Sequence, residues 1–177
     1  MQVKCLDCKI HHSYDYFSIL ELEIPEISNK KITVEDCIDS YFSPFHLNEI
    51  EKDWKCDKCN EYKKNKKVHK ICKLPPLLFI CLKRFKYINN NNIKNDIDIE
   101  IPNTLDFSNY IVSKDINTNV NYNLVGSAIH LGRSNSGHYI SLFDKSIIDD
   151  TNILKISDIE NSNLIEKSYI LLYQVSN

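Results

Sequence analysis

Four cysteines stand in two pairs of one form, Cys5-Leu6-Asp7-Cys8 and Cys56-Asp57-Lys58-Cys59. Two residues between thiols is the spacing of a knuckle that turns both sulfurs towards one ion, and two knuckles complete a tetrahedron around zinc. All four donors would be soft thiolates with no open position for an activated water, so the expected metal is structural and not catalytic. The stretch between the pairs is far longer than in a compact zinc finger, so whatever folds between them must bring the knuckles together. Cys37, Cys72 and Cys81 stand alone and are expected to be packed apolar residues.

Towards the other end, Gly132-Arg133-Ser134-Asn135-Ser136-Gly137-His138-Tyr139-Ile140 sets a histidine where a glycine-flanked loop becomes a strand. Glycine there lets a substrate backbone pass close beside the imidazole. Asp149 and Asp150 follow after an expected hairpin, where a carboxylate could hold the second ring nitrogen. That is the orienting half of a nucleophile–base–carboxylate triad. A single histidine is more often a hydrogen-bonded structural residue, so spacing alone leaves both readings open.

The segments that must position these groups read mainly as strands. Tyr16 to Ile24, Leu77 to Tyr87, Tyr122 to Leu131, His138 to Asp149 and Ser168 to Val175 are rich in β-branched and aromatic residues. Asp144-Lys145 marks a tight hairpin, although it lacks the glycine such turns favour. Two helices are announced by caps, Thr33 with Asp36 and Ser157 with Glu160. Asn89-Asn90-Asn91-Asn92 and the polar stretch from Ser113 to Asn121 read as surface loops. The expected architecture is an antiparallel sheet with short helices.

The 177 residues, 42% of them hydrophobic, suffice for one domain with a genuine core. The formal charge of −2 makes a polyanion a poor partner, and the basic run Lys63-Lys64-Asn65-Lys66-Lys67 is expected to be a solvated edge, so no nucleic acid is expected. No apolar run approaches the roughly 20 residues that cross a bilayer, so no membrane partner is expected either, and Met1-Gln2-Val3-Lys4-Cys5 lacks the apolar core of a signal peptide. A cytoplasmic or nuclear setting is expected. There, reduced thiols favour metal binding over a disulfide framework.

The cysteine pairs, Leu74-Pro75-Pro76-Leu77-Leu78, Leu82-Lys83-Arg84-Phe85, Gly137-His138-Tyr139 and Ser168-Tyr169-Ile170-Leu171-Leu172-Tyr173-Gln174 occur in an order that resembles the ubiquitin-specific proteases over nearly the whole chain. The resemblance implies an α+β, papain-like cysteine-protease fold with a four-cysteine zinc ribbon. It implies cleavage of the isopeptide bond after the C-terminus of ubiquitin. Residues 1–75 would be the zinc-bearing fingers, and residues 76–177 a palm carrying the histidine. His138 falls on the family's general base and Asp149 on its orienting acid, with Asp150 the alternative one residue on; Gly137 and Tyr139 would border the channel for the ubiquitin tail. The family usually has a longer hairpin between the last two positions, often with a tryptophan, whereas the only tryptophan here is Trp54. Cys5-Leu6-Asp7-Cys8, Arg84-Phe85-Lys86-Tyr87 and Tyr122-Asn123-Leu124-Val125 look like the branch activated by WD40-repeat partners.

The family's nucleophile lies in a box resembling Gly-Asn-Thr-Cys-Tyr, and no such box occurs in this sequence. Without a thiolate there is no covalent step for His138 to assist, so the chain as written is expected to be catalytically silent. Because Met1 falls just before a zinc knuckle, the expectation is a portion of a longer protease that begins mid-domain and lacks the N-terminal catalytic-Cys subdomain. The alternatives are a half enzyme completed by a partner and a non-catalytic ubiquitin-binding or scaffold module.

Overall fold

Strands with one face in the core carry most of this fold. In the computed structural model, whose described residues are 2–5, 10–45, 54–62, 65–112, 120–155 and 162–176, the strands are β1 (Gln2–Cys5), β2 (Ile10–His12), β3 (Ile19–Leu22), β4 (Ile32–Thr33), β5 (Asn65–Val68), β6 (Leu77–Leu82), β7 (Phe85–Ile88), β8 (Asn91–Lys94), β9 (Ile99–Glu100), β10 (Thr104–Asp106), β11 (Asn121–Arg133), β12 (Ser136–Phe143), β13 (Ser146–Asp149), β14 (Asn152–Lys155) and β15 (Ser168–Val175). One α-helix, α1 (Val34–Phe42), and a 3-10 turn at Ser162–Lys167 complete the described elements.

The main sheet has eight strands. Seven run in the order β14-β13-β12-β11-β15-β6-β3, and β10 pairs with the start of β11. All its pairings are antiparallel except β3 with β6. On β6, Leu78, Ile80 and Leu82 are fully buried while Leu77 and Phe79 on the other face are exposed, the period-two signature of a strand with one face in the core. Leu20, Leu22, Leu171 and Tyr173 from the neighbouring strands join them, and α1 covers the layer with Val34, Cys37, Ile38 and Phe42. Residues 19–42 thus share the core of strands that follow residue 76. The buried tyrosines satisfy their hydroxyls on carbonyls, Tyr122 on Pro75 and Tyr173 on Pro102. A smaller cluster of Ile129, Ile140, Leu142 and Ile147 continues the buried face towards β13.

Helix α1 forms where the cap announced it. The Asp36 amide donates to the Thr33 hydroxyl while the Asp36 carboxylate accepts from the Thr33 amide. The helix expected after Ser157 lies outside the described residues, as do residues 113–119 of the polar stretch.

Three expectations need correction. The run Leu77 to Tyr87 is broken at Lys83-Arg84, because the Arg84 side chain turns inward and is 1% exposed. Its guanidinium donates to the carbonyls of Ser168, Asn95, Ile97 and Glu166. Asn89-Asn90-Asn91-Asn92 is no loose loop but the tight turn of a hairpin and the start of its second strand: Asn89 and Asn90 take φ of 49° and 62°, and β7 pairs with β8 across them. Asparagine tolerates this left-handed backbone better than other side chains, which a compositional reading passes over. Cys72, expected to be packed, is exposed.

Candidate active site and metal centre

The three-stranded sheet β2-β1-β5 stands apart from the main sheet and places the first cysteine. Pairing of β1 with β5 sets Cys5 opposite Asn65, just after the second knuckle in the chain. The knuckle closes on itself: the Asn60 amide donates to the Cys56 carbonyl and the Cys56 amide to the Glu61 carbonyl, with Asn60 at a φ of 58°. The ligand atoms of Cys5, Cys56 and Cys59 lie within 4.8 Å of one another. Cys5 and Cys56 are fully buried, and none of the three is in a disulfide. Three converging thiols in a largely buried corner fit a thiophilic metal ion and have no other evident purpose there. Cys8, the fourth expected ligand, lies outside the described residues.

The histidine stands near the tip of the β11–β12 hairpin, whose strands run in register from Gly126↔Phe143 to Arg133↔Ser136. The next hairpin turns at Asp144-Lys145, both at positive φ (45° and 59°), the mirror-image turn that matches strand twist without a glycine. It pairs Leu142 with Ile147 and Ser141 with Ile148. That register gives His138 the same face as Ile140 and Leu142, and Asp149 the same face as Ile147. The two therefore meet diagonally across β12 and β13, with His138 Nε2 2.5 Å from Asp149 Oδ1. Asp150 falls at the left-handed turn into β14 (φ 51°); its carboxylate lies within 4.8 Å of the ligand atoms of His138 and Asp149 without a hydrogen bond to the ring. Both members of the pair remain half exposed.

The hydrogen bond with Asp149 is the main reason the His138 pKa is raised above its ordinary 6.5; desolvation, the next largest cause, opposes it, and the charges of Asp149 and Asp150 add to it. The carboxylate thus orients the ring and favours the imidazolium. With Nε2 so engaged, Nδ1 is the ring nitrogen left to exchange a proton with another group.

Gly137 and Tyr139 flank His138 and point elsewhere. A Cβ on Gly137 would overlap the His130 imidazole and the Leu131 carbonyl, so this position admits no side chain. Tyr139 takes the opposite face of β12 and packs against His130, ring centroids 4.8 Å apart, with Tyr169 beyond. Phe85 meets both His130 and Tyr169 edge-on. His130 and Lys94 near the tip carry no sequence signal, because each matters through a contact between strands distant in the chain, and Phe85 stands out only within the motif Leu82-Lys83-Arg84-Phe85.

Of the three lone thiols, Cys72 is exposed and the other two are withdrawn by burial. Cys37 is fully buried in α1, and burial pushes its thiol up to about 11. Cys81 is half buried, and burial raises its pKa against a smaller opposing effect of Tyr169.

A main sheet whose hairpin tip bears a histidine–carboxylate pair, with a thiol cluster in a side sheet, is the architecture of the ubiquitin-specific protease fold, and solved structures agree. A chain in the SAGA Ubp8/Sgf11/Sus1/Sgf73 DUB module bound to ubiquitin aldehyde superposes with a TM-score of 0.79 at 28% identity, over 99% of this chain and 40% of that one. The family model described as ubiquitin carboxyl-terminal hydrolase matches residues 5–173, and the chain belongs to that family. Among relatives, ubiquitin carboxyl-terminal hydrolase 8 of Saccharomyces cerevisiae is 32% identical over 189 residues, covering 98% of this chain and 38% of that protein. Ubiquitin carboxyl-terminal hydrolase 4 of Eremothecium gossypii is 30% identical over 194 residues, covering 97% of this chain and 22% of that protein. The chain therefore spans well under half the length of either relative.

Proposed function

We propose that this chain is the histidine-bearing portion of a cysteine-type deubiquitinase that hydrolyses the isopeptide bond after the ubiquitin C-terminus. The observation that carries the reading is the His138 Nε2 to Asp149 Oδ1 contact of 2.5 Å in a chain of this family. Asp149 orients the ring and Asp150 adds negative charge beside it. His138 acts through Nδ1 as general base: it takes the proton of a thiol as the sulfur attacks the scissile carbonyl, then returns it to the leaving amine. Water, deprotonated by the same nitrogen, releases the acyl group. Gly137, which presents bare backbone, and the half-exposed Tyr139 border the path of the ubiquitin tail.

The thiol is supplied from outside these 177 residues: Cys37 and Cys81 are held in their protonated forms by burial, Cys5, Cys56 and Cys59 converge on a metal corner, and the exposed Cys72 stands in Lys70-Ile71-Cys72-Lys73, which does not resemble the family's nucleophile box. Alone, the chain is inactive. Zinc occupies that corner through Cys5, Cys56 and Cys59 with Cys8 as the fourth ligand, and it is structural because every donor is a thiolate. The side sheet β2-β1-β5 serves as fingers within residues 1–75 and the main sheet as palm within 76–177, although β3 and α1 pack with the palm. Ubiquitin and ubiquitinated proteins are the substrates, a WD40-repeat activator fits the branch the motifs resemble, and the setting is cytoplasmic or nuclear.

The test uses a ubiquitin probe with a C-terminal electrophile. Together with the segment that carries the thiol, the chain should be labelled, and His138→Ala should abolish labelling. Undiminished labelling of that variant would defeat the assignment. A second reading, a module that binds ubiquitin without turnover, is favoured by the absence of a nucleophile box in the sequence. Saturable ubiquitin binding by a protein that never reacts with the probe, even with the segment present, would select it.

A further inference from the structure

Strand β11 is longer than the partner on one of its edges. Its pairing with β12 continues to Arg133↔Ser136, whereas its pairing with β15 stops at Ile129↔Ser168. Among the described residues, no strand pairs with the last residues of β11 on that edge, and these are the ones opposite His138. The Leu131 carbonyl lies against Gly137 on β12, so strand alternation turns the carbonyls of His130 and Gly132 to the free edge. Unpaired carbonyls there would let the tip fray.

Lys94, the last residue of β8, occupies that edge. Its Nζ donates to the His130 carbonyl and to the Gly132 carbonyl, each at 2.9 Å, and its side chain is only 9% exposed. Asp96 at 2.7 Å neutralises and aims the ammonium. A second tie lies beside it, where the Ser134 hydroxyl in the turn of the tip donates to the Asn92 carbonyl of β8 at 2.8 Å. The hairpin that reaches across is itself rooted in the core through the four carbonyl contacts of Arg84. The tip needs such support: Gly132 sits at a φ of 114° and Gly137 lacks a side chain, so the backbone on both sides is soft.

We propose that Lys94 is a positioning residue for the His138–Asp149 pair: by standing in for the missing strand on the edge of β11, it fixes the height and register of the tip that carries His138. The β7–β8 hairpin is a strap across the site and not a surface decoration. The proposal rests on the catalytic reading of His138, but its structural part is measurable in this chain without any reaction.

The experiment compares backbone amide exchange and the His138 ring signals by NMR in the intact 177-residue protein and in Lys94→Met and Lys94→Arg. Lys94→Met should speed exchange over residues 130–139 by about tenfold or more and broaden or shift the His138 ring signals, while amides of β6 and β15 keep their rates. Lys94→Arg, which keeps a cation and several donors, should recover much of the protection. Unchanged exchange at 130–139, or an equal acceleration throughout the sheet, would overturn the proposal. Should Lys94→Met fail to fold, Ser134→Ala removes the second tie alone and should give a smaller rise confined to the same residues; no rise there overturns the strap. Failure of the catalytic reading shows separately, as probe labelling that survives His138→Ala.

Discussion

Arg84 offers the sharpest test of how the site is held. Its guanidinium is 1% exposed and donates to four carbonyls, Ser168 at 2.8 Å, Asn95 at 3.1 Å, Ile97 at 2.8 Å and Glu166 at 2.7 Å. These come from the start of β15, from the segment after β8 and from the 3-10 turn, so one side chain ties three pieces of chain to the end of β6. Arg84→Met keeps the length of the side chain and removes every donor. Each carbonyl deprived of a charged donor costs roughly 1.5–3 kcal/mol, about 6–12 kcal/mol for four. Against this stands the relief of no longer burying a cation, several kcal/mol per ion. The net destabilisation should be about 3–5 kcal/mol, a large part of the total for a domain of this size.

Urea unfolding followed by far-ultraviolet circular dichroism measures it. With a slope of about 2 kcal/mol per molar urea, the midpoint should fall by about 2 M. Arg84→Lys should fall between wild type and Arg84→Met, because an ammonium keeps the charge but cannot span all four acceptors with a planar fork. A midpoint for Arg84→Met within about 0.3 M of wild type would refute the reasoning, and so would a greater loss in Arg84→Lys than in Arg84→Met.

Removal of metal with a strong chelator should raise amide exchange in β1, β2 and β5 and around the Cys56 knuckle while β12 keeps its protection; equal loosening of both would refute a division of labour between the two sheets. The His138 pKa, followed by NMR titration, should lie above 6.5 and fall back in Asp149→Asn, which removes the largest cause of the shift. Because the folded value is the higher one, the contribution to stability is complete below pH of about 6.5 and is lost as pH rises through the folded pKa. Gly137→Ala should cost about 1–3 kcal/mol by overpacking against His130 and the Leu131 carbonyl, with partial recovery in the double variant with His130→Ala, read from urea midpoints. Thr33→Ala should cost about 1 kcal/mol by breaking the capping box of α1.

What could be read from the sequence follows a physical line. Leu77–Leu82, Asn121–Arg133 and Ser168–Val175 are legible as strands because they are rich in β-branched, aromatic and other apolar residues, whereas which face of each is buried is settled only by the sheet. The convergence of Cys5 with Cys56 and Cys59 is legible because the two-residue spacing of each cysteine pair is the one a metal site would require. Strands β1, β5 and β8 were not, since Gln2–Cys5, Asn65–Val68 and Asn91–Lys94 are polar and gain their extended form from pairing alone. Arg84 is marked by the motif Leu82-Lys83-Arg84-Phe85, but its burial and its four carbonyl partners appear only once the chain has folded around it. The exposure of Cys72 is likewise a matter of where the chain runs.

The same distinction explains why the sequence could bring Asp149 and Asp150 near His138 without separating them. Both follow the same hairpin, and spacing along the chain differs by one residue, which a turn of uncertain length would absorb. The choice is made by strand parity. The Asp144-Lys145 turn fixes the pairing Leu142↔Ile147, and from there each residue alternates faces, so Asp149 must share the face of Ile147 and of His138 while Asp150 leaves the sheet in a left-handed turn. One inserted or deleted residue in that turn would therefore do more than lengthen it. It would move Asp149 to the other face of β13 and bury the wrong side of Ile147 and Ile148. Insertion of a single glycine between Asp144 and Lys145 should thus return the His138 pKa towards 6.5 in the same way as Asp149→Asn, and in addition destabilise the cluster of Ile129, Ile140, Leu142 and Ile147, which Asp149→Asn should spare. An insertion that left both unchanged would mean that the pair is held by something other than register.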